Sequence, residues 1–206
     1  MKEDTIVAAA TPPGQAGAVG IVRMSGPRAK KIAEEVFCAV DLDFKKIEPY
    51  RMYLGKINTK NFLDRAFCVY CKAPKSYTGE DVIEFHLHGG ITIVKGVIRE
   101  LTERGARPAD AGEFTKRAYL NGKMNLSEAE GIADMINAES EAEIMAAYRL
   151  MSGEVSQTIS EAASDILEAA SNLEAYLDYP EELEEQVFEP SKKALKSALL
   201  KLRTAL

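Results

Sequence analysis

Tryptophan is absent from these 206 residues, histidine occurs twice and cysteine three times. Cys38, Cys68 and Cys71 are an odd count and too few for a disulfide framework, so stability must come from a packed core. The same scarcity makes the reducing cytoplasm the expected location. No run of about 18 apolar residues occurs, which excludes a membrane-spanning helix. The opening MKEDTIV carries acids and lacks an apolar stretch of signal-peptide length, so export is not expected. Nowhere does Gly-Lys precede Ser or Thr, so the chain has no phosphate-binding loop of the P-loop type. An excess of basic residues is lacking too: 26 Lys and Arg face 32 Asp and Glu, a formal net charge of -6. Phosphate backbones repel such a chain at long range, so any RNA contact is expected to be weak or local.

What is present is the composition of a folded protein, 46% hydrophobic and 28% charged, long enough for one large or two small cores. Up to about Asn121 the pattern alternates. Thr5 to Ala9 and Gly20 to Met24 read as strands around a Pro/Gly loop. Pro27 then opens a helix whose face carries Ile32, Ala33, Val36 and Phe37. Arg51 to Ile57, Ala66 to Lys72 and Asp81 to His88 read as further strands. Ile91, Val94, Ile98 and Leu101 keep helical spacing up to the basic turn and glycine at Arg104-Gly105. Residues 1–121 are therefore expected to form an α+β domain.

From residue 122 to 206 the pattern is that of an all-α bundle segment. Ser127 and Glu130 form a capping-box spacing, opening a helix expected to run to about Leu150, before Ser152-Gly153. Val155, Ile159, Ala162, Ile166, Ala169, Leu173 and Leu177 mark a second helix with a sustained apolar stripe. Asp178-Tyr179-Pro180 and the acidic EELEEQ run read as a connector. Leu195, Leu199, Leu202 and Leu206 form a third stripe. No C-cap glycine, proline or polar tail follows it, so that helix is expected to continue beyond this sequence.

Four features invite a chemical reading. Gly14, Gly17 and Gly20 are spaced by three, unlike a dinucleotide fingerprint, and suit a flexible loop or a close backbone approach to a small ligand. Cys68 and Cys71, three apart on a strand, point to opposite faces and behave as small hydrophobes. Glu84, His86 and His88 share the face opposite Ile83, Phe85 and Leu87. Residues at alternate positions spread over about 13 Å, so a polar face with one ligand-binding residue suits them better than a metal site. GEFTKRAYLNGK reads as a short helix with Phe114, Ala118 and Tyr119 inward and cations capping its C-terminal end.

Taken together, DTIVAAATPPGQAGAVGIVRMSG, SYTGEDVIEFHLHGG, GEFTKRAYLNGKMNLSEAEGIADMINA and LEAYLDYPEE resemble, in order, the MnmE (TrmE) family of tRNA modification GTPases. The resemblance covers essentially the whole chain, with ADAGEF standing where the family usually has RPGEF. It implies an amino-terminal domain like the folate-binding domain of aminomethyltransferases, binding a tetrahydrofolate derivative, 5-formyltetrahydrofolate, near a homodimer interface. It also implies work with an FAD-dependent MnmG-type partner on the wobble uridine of tRNA. GTP hydrolysis with magnesium and potassium belongs to a G domain that this sequence does not contain, so no catalytic residue is expected here. Folate-contacting positions map onto Arg23, Glu84 and Lys123. A pterin edge offers adjacent N–H donors that a carboxylate such as Glu84 accepts as a pair, and folate-tail carboxylates suit Arg23 and Lys123. A stand-alone folate-dependent aminomethyl transferase is the alternative.

Overall fold

The computed structural model describes residues 4–12, 17–40, 42–178 and 180–205. The chain divides into two compact units at Met124/Asn125, three residues beyond the boundary drawn from sequence.

In the first unit, seven strands form one sheet: β1 (Ile6–Ala9), β2 (Val19–Ser25), β3 (Phe37–Ala39), β4 (Met52–Asn58), β5 (Leu63–Cys71), β6 (Val82–His88) and β7 (Arg107–Pro108). Their spatial order is β3-β4-β5-β6-β2-β1-β7, antiparallel except for the β1–β7 pair. The two short edge strands, β3 and β7, were not anticipated; two or three residues carry too little alternation to register. Helices α1 (Ala29–Val36) and α2 (Ile91–Glu103) pack on one face of the sheet. There Val22, Met24, Ile57, Cys68, Ile83 and Phe85 meet Ile32, Val36, Val94, Val97 and Leu101 in the core. Gly20 belongs to this packing: a Cβ there would come within 2.6 Å of a Val94 methyl group. Its role is therefore to let α2 approach β2; residues 13–16 of the glycine loop lie outside the described residues. Helix α3 (Glu113–Leu120) closes the unit.

The second unit is all helical: α4 (Leu126–Asn137), α5 (Glu141–Met151), α6 (Glu154–Asp178) and α7 (Pro180–Ala205). The single helix expected from Ser127 to Leu150 is thus two. Asn125, not Ser127, is the cap, accepting from the Glu128 amide while the Glu128 side chain accepts from the Asn125 amide. Ala138 turns extended and Ser140 caps α5 by accepting from the Glu143 amide. The EELEEQ run is also corrected, from connector to the first turns of α7, where Pro180 sits at the start and glutamate is a good helix former. Helices α6 and α7 pair lengthwise, with Asp165 bonded to Lys201 at one end and Tyr176 edge-on to Phe188 at the other. Among the described residues no helix is long and apolar enough to cross a membrane.

Candidate functional site

The helix-free face of the sheet carries the candidate site. Strand alternation sends Val22, Met24, Ile83 and Phe85 into the core and leaves Ile21, Arg23, Glu84 and His86 on the other side. Register then sets Arg23 opposite Glu84 and Ile21 opposite His86. Arg23 Nε donates to Glu84 Oε1 at 2.7 Å. The other oxygen, Oε2, lies 3.6 Å from His86 Nε2, a buried nitrogen with no hydrogen-bond partner. On β5, Val69 pairs with Glu84, and Cys71 lies close enough that burial first, and then the Glu84 charge, push its thiol pKa up.

Two aromatic rings cover this row. The Arg23 guanidinium carbon lies 5.3 Å from the Tyr77 ring centre and 5.8 Å from that of Phe114. Such contacts are worth about 0.5–1 kcal/mol each where solvent still reaches them. Tyr77 comes from the SYTGED loop between β5 and β6, and Phe114 from α3. The two motifs therefore meet over one residue of β2.

Lys123 is placed differently. Its ammonium is exposed and donates to the Pro74 carbonyl at 3.1 Å, at the start of the same loop. The structure thus joins Arg23 and Glu84 directly, and relates Lys123 to them only through the loop that bears Tyr77. His88 turns away toward Asp64, with Nδ1 2.5 Å from Oδ1 and its amide donating to Oδ2. Among the described residues no three His, Cys, Asp or Glu side chains gather as a metal site.

Helix α3 departs from the expected inward set. Ala118 is buried and Phe114 half-buried, but Tyr119 is exposed. Arg117 goes inside instead of capping the helix. Its guanidinium donates to the Asp4 side chain (2.7 Å), the Asp4 carbonyl (2.9 Å), Glu80 (3.2 Å) and Glu113 (3.2 Å). Arg107 completes the cluster with a two-pronged pair to Glu113, at 2.6 and 3.1 Å, and a 2.7 Å bond to Asp4. The Arg107 bond, opposed by burial and aided by the Asp110 amide and Arg117, holds the Glu113 carboxyl down at about 2. A cavity of about 340 Å³ lies beside the cluster, lined by Arg107, Glu113, Lys116, Leu120 and Asn121 among others. Both of its guanidiniums already hold carboxylates, and none of Arg23, Glu84 or Lys123 lines it. Sequence reasoning missed this network because Asp4 and Arg117 are 113 residues apart; the Glu113–Arg117 spacing of four was its only local sign.

An antiparallel-rich sheet with a charged, aromatic-covered row, followed by a helical unit, defines a two-part protein of α+β plus all-α construction. Residues 5–123 match the family described as GTP-binding protein TrmE N-terminus, and residues 126–206 match the MnmE helical domain. The chain belongs to this TrmE/MnmE family. It is 41% identical over 184 residues to the tRNA modification GTPase MnmE of Clostridioides difficile, covering 87% of this chain and 39% of that protein. The protein of the same name from Thermus thermophilus is 42% identical over 183 residues, covering 87% and 42%. That from Acetivibrio thermocellus is 43% identical over 183 residues, covering 87% and 39%. The chain thus spans about two fifths of the length of these relatives.

Proposed function

We propose that this chain is the folate-binding, dimer-forming amino-terminal part of a longer GTPase that modifies the wobble uridine of tRNA. The observation that carries this reading is the Arg23–Glu84 pair on the helix-free face, covered by two aromatic rings. It combines a half-buried carboxylate with flat apolar walls, the combination a pterin needs. Each carboxylate oxygen accepts more than one hydrogen bond, so the Arg23 bond to Oε1 leaves capacity for a donor pair, with Oε2 accepting no hydrogen bond among the described residues. Arg23 meets negative charge on the ligand, and Lys123, at the solvent edge, meets a folate-tail carboxylate. GTP hydrolysis with magnesium and potassium, and the reaction with an FAD-dependent MnmG-type protein and tRNA, are assigned to the longer protein, in the cytoplasm. With a net charge of -6, this part contributes little to tRNA affinity.

Calorimetric titration with 5-formyltetrahydrofolate tests the reading. Glu84→Ala is expected to weaken binding by about 2–3 kcal/mol, the size of a charge-assisted pair. Lys123→Ala is expected to cost about 1 kcal/mol, as its ammonium stands in solvent. Unchanged affinity in Glu84→Ala removes the assignment.

A further inference from the structure

The loop that brings Tyr77 over Arg23 is held from several sides. At its start, the Tyr50 hydroxyl lies 2.9 Å from the Lys72 carbonyl and 2.8 Å from that of Lys75, its one proton shared between them. At its end, Asp81 accepts from the Tyr70 hydroxyl at 2.9 Å and from the Ala73 amide at 3.0 Å. Toward α3 and the turn after it, each grip falls on a different residue. Tyr77 Oη and Thr115 Oγ1 are 2.8 Å apart. Asn121 Nδ2 donates to the Thr78 carbonyl at 2.7 Å. Glu80 accepts from Arg117 and from the buried Ser25 hydroxyl. Gly79, at φ +79°, leaves so little room that a Cβ there would lie 3.3 Å from Asn121 and from Lys123.

The grips hold the loop on both sides of Tyr77, whose ring lies against the Arg23 guanidinium, and Tyr77 remains about a third exposed. We infer that Tyr77 is a ligand-contacting wall of this site, for a flat heteroaromatic ring system, and that Asn121 is a positioning residue that acts through it. The inference rests on the folate reading. In it, Asn121 has no contact with the ligand; it fixes the Thr78 carbonyl, and thereby the direction in which the neighbouring Tyr77 ring projects.

A double-mutant cycle in 5-formyltetrahydrofolate titration separates positioning from general stabilisation. Tyr77→Leu is expected to lower affinity about tenfold, and Tyr77→Phe, which keeps the ring and loses the Thr115 bond, only two- to threefold. Asn121→Ala is expected to lower affinity about fivefold in the native background and less than twofold in Tyr77→Leu. Equal losses in both backgrounds overturn the positioning role of Asn121. Unchanged affinity in Tyr77→Leu, with binding still weakened in Glu84→Ala, overturns the inference and leaves the folate reading standing. No binding by the native chain removes both. Should Asn121→Ala fail to fold, Asn121→Asp, which keeps shape and exchanges the donor for an acceptor, carries the same cycle.

Discussion

Arg117 illustrates why a residue's sequence neighbourhood is a poor guide to its burden. Beside Lys116 and near a helix end it reads as a capping cation, yet it is among the most buried charges of the chain and ties β1's approach, the SYTGED loop and α3 together. Such a cluster must be paired to be tolerated. Its pH behaviour follows from Glu113. The folded carboxyl, held near 2, lies below its ordinary value of 4.5, so its contribution is complete above pH 4.5 and drains away as pH falls toward 2. Asp4, lowered by the same arginines, acts in the same direction. After allowance for solvent the Glu113 contribution is about 2 kcal/mol. Acid unfolding followed by circular dichroism is expected to show Glu113→Gln already weakened at pH 7, with less further loss than the native chain between pH 4.5 and 2. Parallel acid curves for the two proteins would show that the cluster carries no such linkage. By contrast, the placement of Glu84 was legible from its sequence, because strand alternation is local and β6 alternates cleanly. Its pairing with Arg23 depends on the β2–β6 register, which local pattern does not give.

At the scale of elements, hydrophobic periodicity found the central strands, α6 and the later turns of α7, missed the acidic start of α7, and failed where two helices share one stripe. The residues from 126 to 151 keep helical spacing through the Ala138–Ser140 break, so only capping chemistry betrays it. The reason for two helices lies in packing. A Cβ on Gly131 of α4 would come within 2.6 Å of the Met151 amide nitrogen and 2.9 Å of the Ala147 carbonyl oxygen of α5. Glycine there lets two backbones touch, a long-range demand that no single-helix pattern reveals. In an isolated helix Gly131→Ala would stabilise by about 1 kcal/mol. Here the clash with backbone outweighs that gain, and the helical unit is expected to lose about 1–2 kcal/mol. A lowered thermal midpoint in the helical circular-dichroism signal checks this; a raised midpoint would mean that α4 and α5 are free to separate.

At the scale of the whole molecule, the helix-free face of the sheet offers more apolar surface than the candidate site occupies. Leu54 and Phe67 stand opposite each other on β4 and β5, and Phe67 stands opposite His86 on β6, which pairs with Ile21. Met52 and Val19 extend the same face, both more than half exposed, up to the exposed Lys56 and Arg65 that bound it on β4 and β5. Tyr77 and Phe114 cover only its Arg23 end, so a contiguous apolar strip is left facing water, the kind of surface that a partner normally buries. A second copy is the occupant that fits the proposed function, because a two-fold axis sets one strip against itself and brings two Arg23–Glu84 rows to the edges of one interface. Sedimentation of the full chain at tens of micromolar is expected to give a dimer. A charge at the centre of that strip should break it: Phe67→Glu buries an unpaired carboxylate twice per dimer and is expected to weaken association by at least 2 kcal/mol, about thirtyfold. Leu200→Glu, at a still more exposed leucine on α7, is expected to leave the dimer intact. If Phe67→Glu still sediments as a dimer while Leu200→Glu does not, association runs through the helical unit, and the sheet face awaits another partner.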